Sequence, residues 1–177
     1  MAIDCRLSDM LKEFDVLASS MKFKRVGNLL DEDLVAKQSY PGIYLIEVNT
    51  RNSGFATLDQ WIDTFQRQWR GKKYELKFAP NPHKRHIDAH LELGKLNEWM
   101  PIYIGKSLHV DRRLKEHVKL PLEKRTFAMK LEARKTMISR QWRFQTINLK
   151  GIQSYDVIAP KIESAMRNRH HPIVGRQ

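Results

Sequence analysis

Cysteine is almost missing from this chain: Cys5 is the only one among 177 residues. An internal disulfide is therefore excluded, nothing calls for an oxidising compartment, and a reduced cytoplasm is the default expectation. Equally missing is any run of residues long and apolar enough to span a bilayer. Residues 1–9 carry charges where a signal peptide needs an apolar run, so a soluble, cytoplasmic protein with no membrane partner is expected. Internal repeats and low-complexity tracts are also absent, which argues against solenoids and disordered tails. Acidic residues are in the minority, 20 against 32 Lys and Arg, leaving a formal charge of +12 and a pI near 9.9. A surface so positive attracts polyanions, nucleic acid foremost. The basic residues are spread over 22–25, 67–73, 124–135 and 167–176, which suits a folded basic face better than a polybasic tail.

The length suits one domain with an ordinary hydrophobic core. Leu7, Met10, Leu11, Phe14, Leu17 and Ala18 recur at helical spacing and predict an amphipathic N-terminal helix whose apolar stripe must pack on something. After a polar link, Tyr40-Pro41-Gly42 ends a loop, and 43–48 is rich in β-branched and aromatic residues, a strand. Residues 49–54 are turn chemistry. Leu58, Trp61, Ile62, Phe65 and Trp69 then mark a helix that Gly71 stops.

Ala79-Pro80-Asn81-Pro82 breaks the chain, and a short helix is expected about 87–91. Pro101 enters a second strand, 102–104, which Gly105 ends. Val110, Leu114 and Val118 predict a helix with a basic outer face, and 127–131 reads as a helical turn. Residues 142–149 alternate as a third strand. A last helix is expected to begin near Pro160, to carry Ile162, Ala165 and Met166 inward, and to end at Pro172.

Four features fall in order along this framework. They are Gly42-Ile43-Tyr44 on one strand, Tyr103-Ile104-Gly105 on another, Arg113 on the following helix, and Glu163 on the last one. In this the chain resembles the GIY-YIG nuclease family. Arg113 stands ten residues after Tyr103 and His117 fills a position where the family often has histidine or tyrosine. Glu163 is followed nine residues later by Pro172, as the family's metal-binding glutamate is followed by a proline. The resemblance runs from Pro41 to the C-terminus with one interruption.

The resemblance implies an α+β fold: a small, mainly antiparallel sheet of three or more strands flanked by helices. It also implies hydrolysis of phosphodiester bonds in DNA, with compact restriction-type members closest in character and a homodimer on double-stranded DNA the expected assembly. Glu163 would hold one divalent cation, Mg2+ or another such as Mn2+, whose hard character prefers carboxylate, water and phosphate oxygens. Arg113 would clamp the phosphate with its fork of donors. Tyr44 and Tyr103 would flank the attacking water, one of them orienting or deprotonating it. A phenol with a reference pKa of about 10 needs nearby cations such as Lys106 and Arg113 to act as a base near neutrality. Lys106 is itself a candidate for the base or for a phosphate contact. His117, one helical turn after Arg113, could relay a proton or bind phosphate.

Two departures stand out. Where the family usually has a tight hairpin, an excursion over 49–99 separates the two motif strands; it is expected to be an inserted recognition element, as residues 1–40 are expected to be a helical extension. The family's late asparagine after the proline is missing, Gly175 or a neighbour taking its place.

Outside the motif, His86 and His90 have the spacing that puts two imidazoles on one helix face, as zinc ligands are placed. No second ligand pair accompanies them, so with His83, Lys84, Arg85 and Asp88 the stretch reads as a phosphate contact. Arg67, Arg70, Lys72, Lys73 and Arg112 read likewise. Each residue also has an ordinary explanation: strand tyrosines half buried, a solvated basic helix face, and a surface pair between Glu163 and Arg167, four positions on. A nucleic-acid-binding module that keeps the fold without turnover is the alternative.

Overall fold

The computed structural model describes residues 2–51, 54–70 and 78–175. The expected Gly71 helix stop and the expected phosphate contacts Lys72 and Lys73 lie outside the described residues. The chain runs α1 (Ala2–Ser20), β1 (Lys24–Asn28), α2 (Glu32–Ala36), β2 (Gly42–Asn49), α3 (Leu58–Arg70), β3 (Asn81–Pro82) and α4 (Lys84–Leu93). It continues through β4 (Trp99–Ser107), α5 (Val110–Lys119), α6 (Lys135–Ile138), β5 (Trp142–Asn148), α7 (Tyr155–His170) and β6 (Val174–Gly175). The architecture is α+β. Four strands form an antiparallel sheet in the order β1-β5-β2-β4, and β3 pairs with β6 in a separate two-stranded ribbon. Among the described residues no helix is long and apolar enough to cross a membrane.

Every residue of β2 but the last is buried, because helices cover both faces of the sheet. One face carries Tyr44, Ile46 and Val48 against Trp61, Phe65 and Trp69 of α3 and Val110, Leu114 and Val118 of α5. The other carries Ile43, Leu45 and Ile104 against Ala159, Ile162 and Met166 of α7. A strand covered on both sides reads as a continuous apolar run, which is the pattern of 43–48. Between β2 and β4 the register shifts at Ile46/Glu47, where Ile46 faces Tyr103 and Glu47 faces Pro101, so Ile102 is the extra residue of a bulge. Pro101 has no N–H to give, but its carbonyl accepts from the Ile173 N–H at 3.0 Å, which lays the C-terminal segment over the first half of edge strand β4.

Several expectations change. The polar link after α1 contains β1, which is short and pairs with β5, and α2, capped by the Asp31 side chain on Asp33 and Leu34. Residues 127–131 form no helical turn. The N–H groups of Met129 and Leu131 bond to the ring and the carbonyl of His117, and that of Ala128 bonds to Phe78, which holds the segment in an irregular conformation. The last helix begins five residues before Pro160, which sits inside α7; the acceptor it leaves unmatched is the Asp156 carbonyl of the exposed first turn. Only part of the α1 stripe packs, through Ala18 and Phe14. Ile3, Leu7 and Met10 are more than half exposed.

The 49–99 excursion is built into the main core, to which α3 supplies some of the largest side chains. Trp61, Phe65 and Trp69 are fully buried and stacked in series, with ring centroids 5.2 and 5.4 Å apart. The Trp69 ring donates to the Pro80 carbonyl at 2.8 Å and lies under the Arg134 guanidinium, 4.5 Å away, while Arg134 also bonds the Trp69 carbonyl. Truncating such a residue removes both packing and a buried hydrogen bond. Trp69→Ala is expected to cost about 3–5 kcal/mol in urea unfolding, and a chain in which 50–98 is replaced by a short turn is expected to lose its cooperative transition altogether.

Candidate active site

The second half of β4, uncovered by the C-terminal segment, borders a cleft of about 200 Å³. Its walls are Tyr44 from β2, Tyr103, Gly105 and Lys106 from β4, Arg113 from α5, Phe127 from the irregular loop, and Glu163 and Arg167 from α7. Sheet register explains how the aromatic residues meet. Tyr44 faces Gly105 across the strand pair, and Tyr103 lies two residues before Gly105 on the same side. The two rings stack at 6.1 Å and 24°. A β-carbon on Gly105 would stand 2.4 Å from the Tyr44 hydroxyl oxygen and 2.8 Å from Cε1 of Tyr103, so only glycine leaves room for both rings. On the other side of β2, a β-carbon on Gly42 would stand 2.4 Å from the Ile147 carbonyl oxygen.

Beneath the tyrosines lies His117, fully buried, with ring centroids 5.5 Å from Tyr44 and 4.5 Å from Tyr103. The Met129 N–H donates to its Nδ1 at 3.1 Å. That bond assigns the ring proton to Nε2, which donates to the Tyr44 hydroxyl oxygen at 2.9 Å. Burial, with Arg113 nearby, holds the imidazole pKa well below its usual value, so the ring is neutral. His117 therefore orients Tyr44 from inside the protein. The expectation that it binds phosphate is corrected, because both nitrogens are occupied and the ring is sealed from solvent.

Arg113 leans over the same hydroxyls. Its Nη1 donates to Glu116 Oε2 at 2.5 Å, its Nη2 donates to the Phe127 carbonyl, and its charge acts on both tyrosine hydroxyls. Burial raises the Tyr44 pKa well above 10 and raises that of Tyr103 as well; for both phenols the Arg113 charge opposes the rise and Glu163 adds to it. Both phenols are protonated at neutral pH in the protein alone. Tyr103 is also within electrostatic reach of Arg167.

Five residues singled out in the sequence, Tyr44, Tyr103, Lys106, Arg113 and Glu163, thus share one cleft, with His117 behind it. The outlying basic residues do not join them. Arg112 is an exposed side chain paired with Glu116 at 3.4 Å, and Lys84 and Arg85 are exposed on the first turn of α4. The histidines of α4 have structural bonds: His86 Nδ1–H donates to the Pro172 carbonyl at 2.9 Å, and His90 Nε2–H donates to that of His171 at 2.8 Å. Buried and bonded to backbone, neither is placed as a phosphate contact. Arg167 was missed as a site residue, although its four-residue spacing from Glu163 puts both on one side of α7.

Among the described residues Glu163 is the one carboxylate that lines the cleft, and no group of three or more His, Cys, Asp or Glu is arranged to hold a metal ion. A single carboxylate beside hydroxyls fits a Mg2+ ion that keeps several waters and shares its remaining positions with substrate phosphate; it does not fit a protein-only metal cage.

Comparison of the chain with protein-family models, with curated proteins and with solved structures finds no match.

Two outcomes follow from the buried groups. Gly105→Ala is expected to displace the Tyr44 hydroxyl, exposing a tyrosine to spectroscopic titration at lower pH than in the parent protein. Burial pushes His86 down to about 4 and lowers His90 and His117, so the unfolded chain binds more protons than the folded one as pH falls. The stabilisation is complete above about 6.5, the unfolded value, and declines toward the folded values. The melting temperature should therefore drop between pH 7 and 5, with a shallower drop in His86→Gln.

Proposed function

We propose that the protein is a metal-dependent nuclease of the GIY-YIG type that hydrolyses phosphodiester bonds in DNA within the β4-edge cleft. What supports this reading is one observation: two tyrosine hydroxyls, a guanidinium, an ammonium and a carboxylate, drawn from four separate elements, converge on a single space open to solvent. The net positive lining suits a phosphate, and the formal charge of +12 suits a polyanionic substrate.

In the proposed reaction Tyr44 is the base. Its oxygen accepts a hydrogen bond from His117, and the nearby Arg113 charge favours the phenolate. The phenolate takes a proton from water, the water oxygen attacks phosphorus, and the bond from phosphorus to the leaving sugar oxygen breaks. That oxygen then takes a proton from solvent. Tyr103, stacked on Tyr44, orients the water through its own hydroxyl. Lys106, exposed at the cleft mouth, and the Arg113 charge stabilise the negative charge that builds on the phosphate. Glu163 is the residue that would hold Mg2+ or Mn2+, and a bound divalent cation would supply Lewis-acid stabilisation of that charge.

Incubating the purified protein with supercoiled plasmid tests the reading. Nicking is expected with Mg2+ and not in EDTA, and about a hundredfold less or lower in Glu163→Ala, Arg113→Ala and Tyr44→Phe. Because Tyr44 must lose its proton first and its pKa is raised, the rate should climb with pH through the neutral and alkaline range. Binding without metal-dependent cutting, unchanged by these substitutions, would favour a non-catalytic nucleic-acid-binding module.

A further inference from the structure

The apolar side chains that α1 leaves bare are ordered, not scattered. Ile3, Leu7, Met10, Phe14 and Leu17 follow one another at alternating steps of four and three residues. That is the narrow seam of a coiled coil, which wants another helix alongside it. The body of the protein covers only its C-terminal end. Ala18 is buried, Phe14 packs against the α7 cluster with the Lys161 ammonium 5.7 Å from its ring, and Arg169 donates to the Ser19 and Met21 carbonyls. Ile3 and Met10 remain 82% and 66% exposed, and Leu7 and Leu17 are about half exposed.

The two flanks of the seam differ. Leu11 and Ala18, each following a seam residue, make one flank apolar, and α7 lies on the side of Ala18. The other flank carries Arg6 just before Leu7 and Glu13 just before Phe14, opposite charges one heptad apart. Both are exposed, and among the described residues neither forms an ion pair. Charges in such flanking positions select the partner of a seam and its direction.

From this pattern we infer that α1 is a dimerisation helix, whose seam pairs antiparallel with α1 of a second copy of this chain about a twofold axis. Leu7 then packs on the partner's Met10 and Ile3 on the partner's Phe14. In that register each Arg6 comes beside the partner's Glu13, and the twofold axis makes the pair twice. Parallel pairing would set Arg6 beside Leu11 and Glu13 beside Ala18, and would form neither ion pair. The charge of α1 also argues against the other occupants of an apolar helix face. Asp4, Asp9, Glu13 and Asp15 outnumber Arg6 and Lys12, which repels nucleic acid and an anionic lipid surface alike. The inference gives the homodimer implied by the resemblance a surface and a direction, and it holds whatever the cleft does.

Sedimentation equilibrium of the full chain in reducing buffer tests it. The paired surface is small, so a dissociation constant of about 1–100 µM is expected. Leu7→Asp or Met10→Asp should weaken the dimer by about thirtyfold or more, because each buries a carboxylate in the seam. Arg6→Glu and Glu13→Arg alone should each weaken it about tenfold, since both replace two attractions by two repulsions. The double variant Arg6→Glu/Glu13→Arg should return to about the parental value, and Lys12→Ala, on the outer face, should change nothing. Circular dichroism and melting temperature establish that each variant is folded. A parent chain that stays monomeric throughout that range overturns the inference, as does a dimer that a folded Leu7→Asp leaves intact. A double variant as weak as the single ones overturns it too, because only the antiparallel register restores the pairs. A monomeric parent whose binding to anionic vesicles or to a DNA duplex is abolished by Leu7→Asp would give the helix to one of those partners instead, and would also overturn it.

Discussion

The site depends on a neutral imidazole with no contact with water. His117 takes a hydrogen bond from the Met129 backbone on one nitrogen and gives one to the Tyr44 hydroxyl with the other, and that pairing leaves a single tautomer. Three parts of the chain meet there: α5, the irregular loop before α6, and the central strand β2. The loop is held further by Lys130, buried at a positive φ, whose ammonium donates to the Leu122 and Lys124 carbonyls at 2.9 and 2.6 Å. A buried polar group left unpaired costs about 1–3 kcal/mol, so these bonds favour one loop conformation, the one that brings Phe127 to the cleft wall.

A sheet edge supplies the other constraint. Residues on opposite faces of a sheet are normally kept apart by the sheet itself, and here the tyrosines belong to the α3/α5 face while α7 packs on the reverse. They can share one cleft because β4 is the last strand and its second half is left uncovered. Ile104 and Gly105 form the rim around which Glu163 and Arg167 reach the phenols. The bulge at Ile102 and the Ile173–Pro101 bond confine the C-terminal segment to the first half of the strand. Had β4 been interior, the same residues could not converge.

How much of this was legible in the sequence varies with the kind of signal. Strong periodicity announced α3, α5, β2 and β5, because each buries a face against the sheet or the helices and shows the matching period. The tripeptides around Tyr44 and Tyr103, with Arg113 and Glu163 at their spacings, marked residues that share the cleft although 119 positions separate Tyr44 from Glu163. The rest was written in contacts that no local pattern carries. Short β1 is defined by its partner β5, and 127–131 is shaped by bonds to His117 instead of by its own propensity. His86 and His90 have ligand-like spacing, yet backbone carbonyls more than 80 residues away claim them. Arg167 looked like half of a surface pair; its place in the cleft follows from how α7 lies along the edge strand β4.

The central claim is that phosphate and divalent cation meet between the tyrosine pair and Glu163 at the open edge of β4. Anomalous diffraction from crystals grown with a DNA duplex and Mn2+ tests it most directly. The account predicts a Mn2+ peak beside the Glu163 carboxylate, with a backbone phosphate facing the Tyr44 and Tyr103 hydroxyls, and loss of that peak in Glu163→Gln. A duplex lying across another face, with the metal bound away from Glu163, would contradict it.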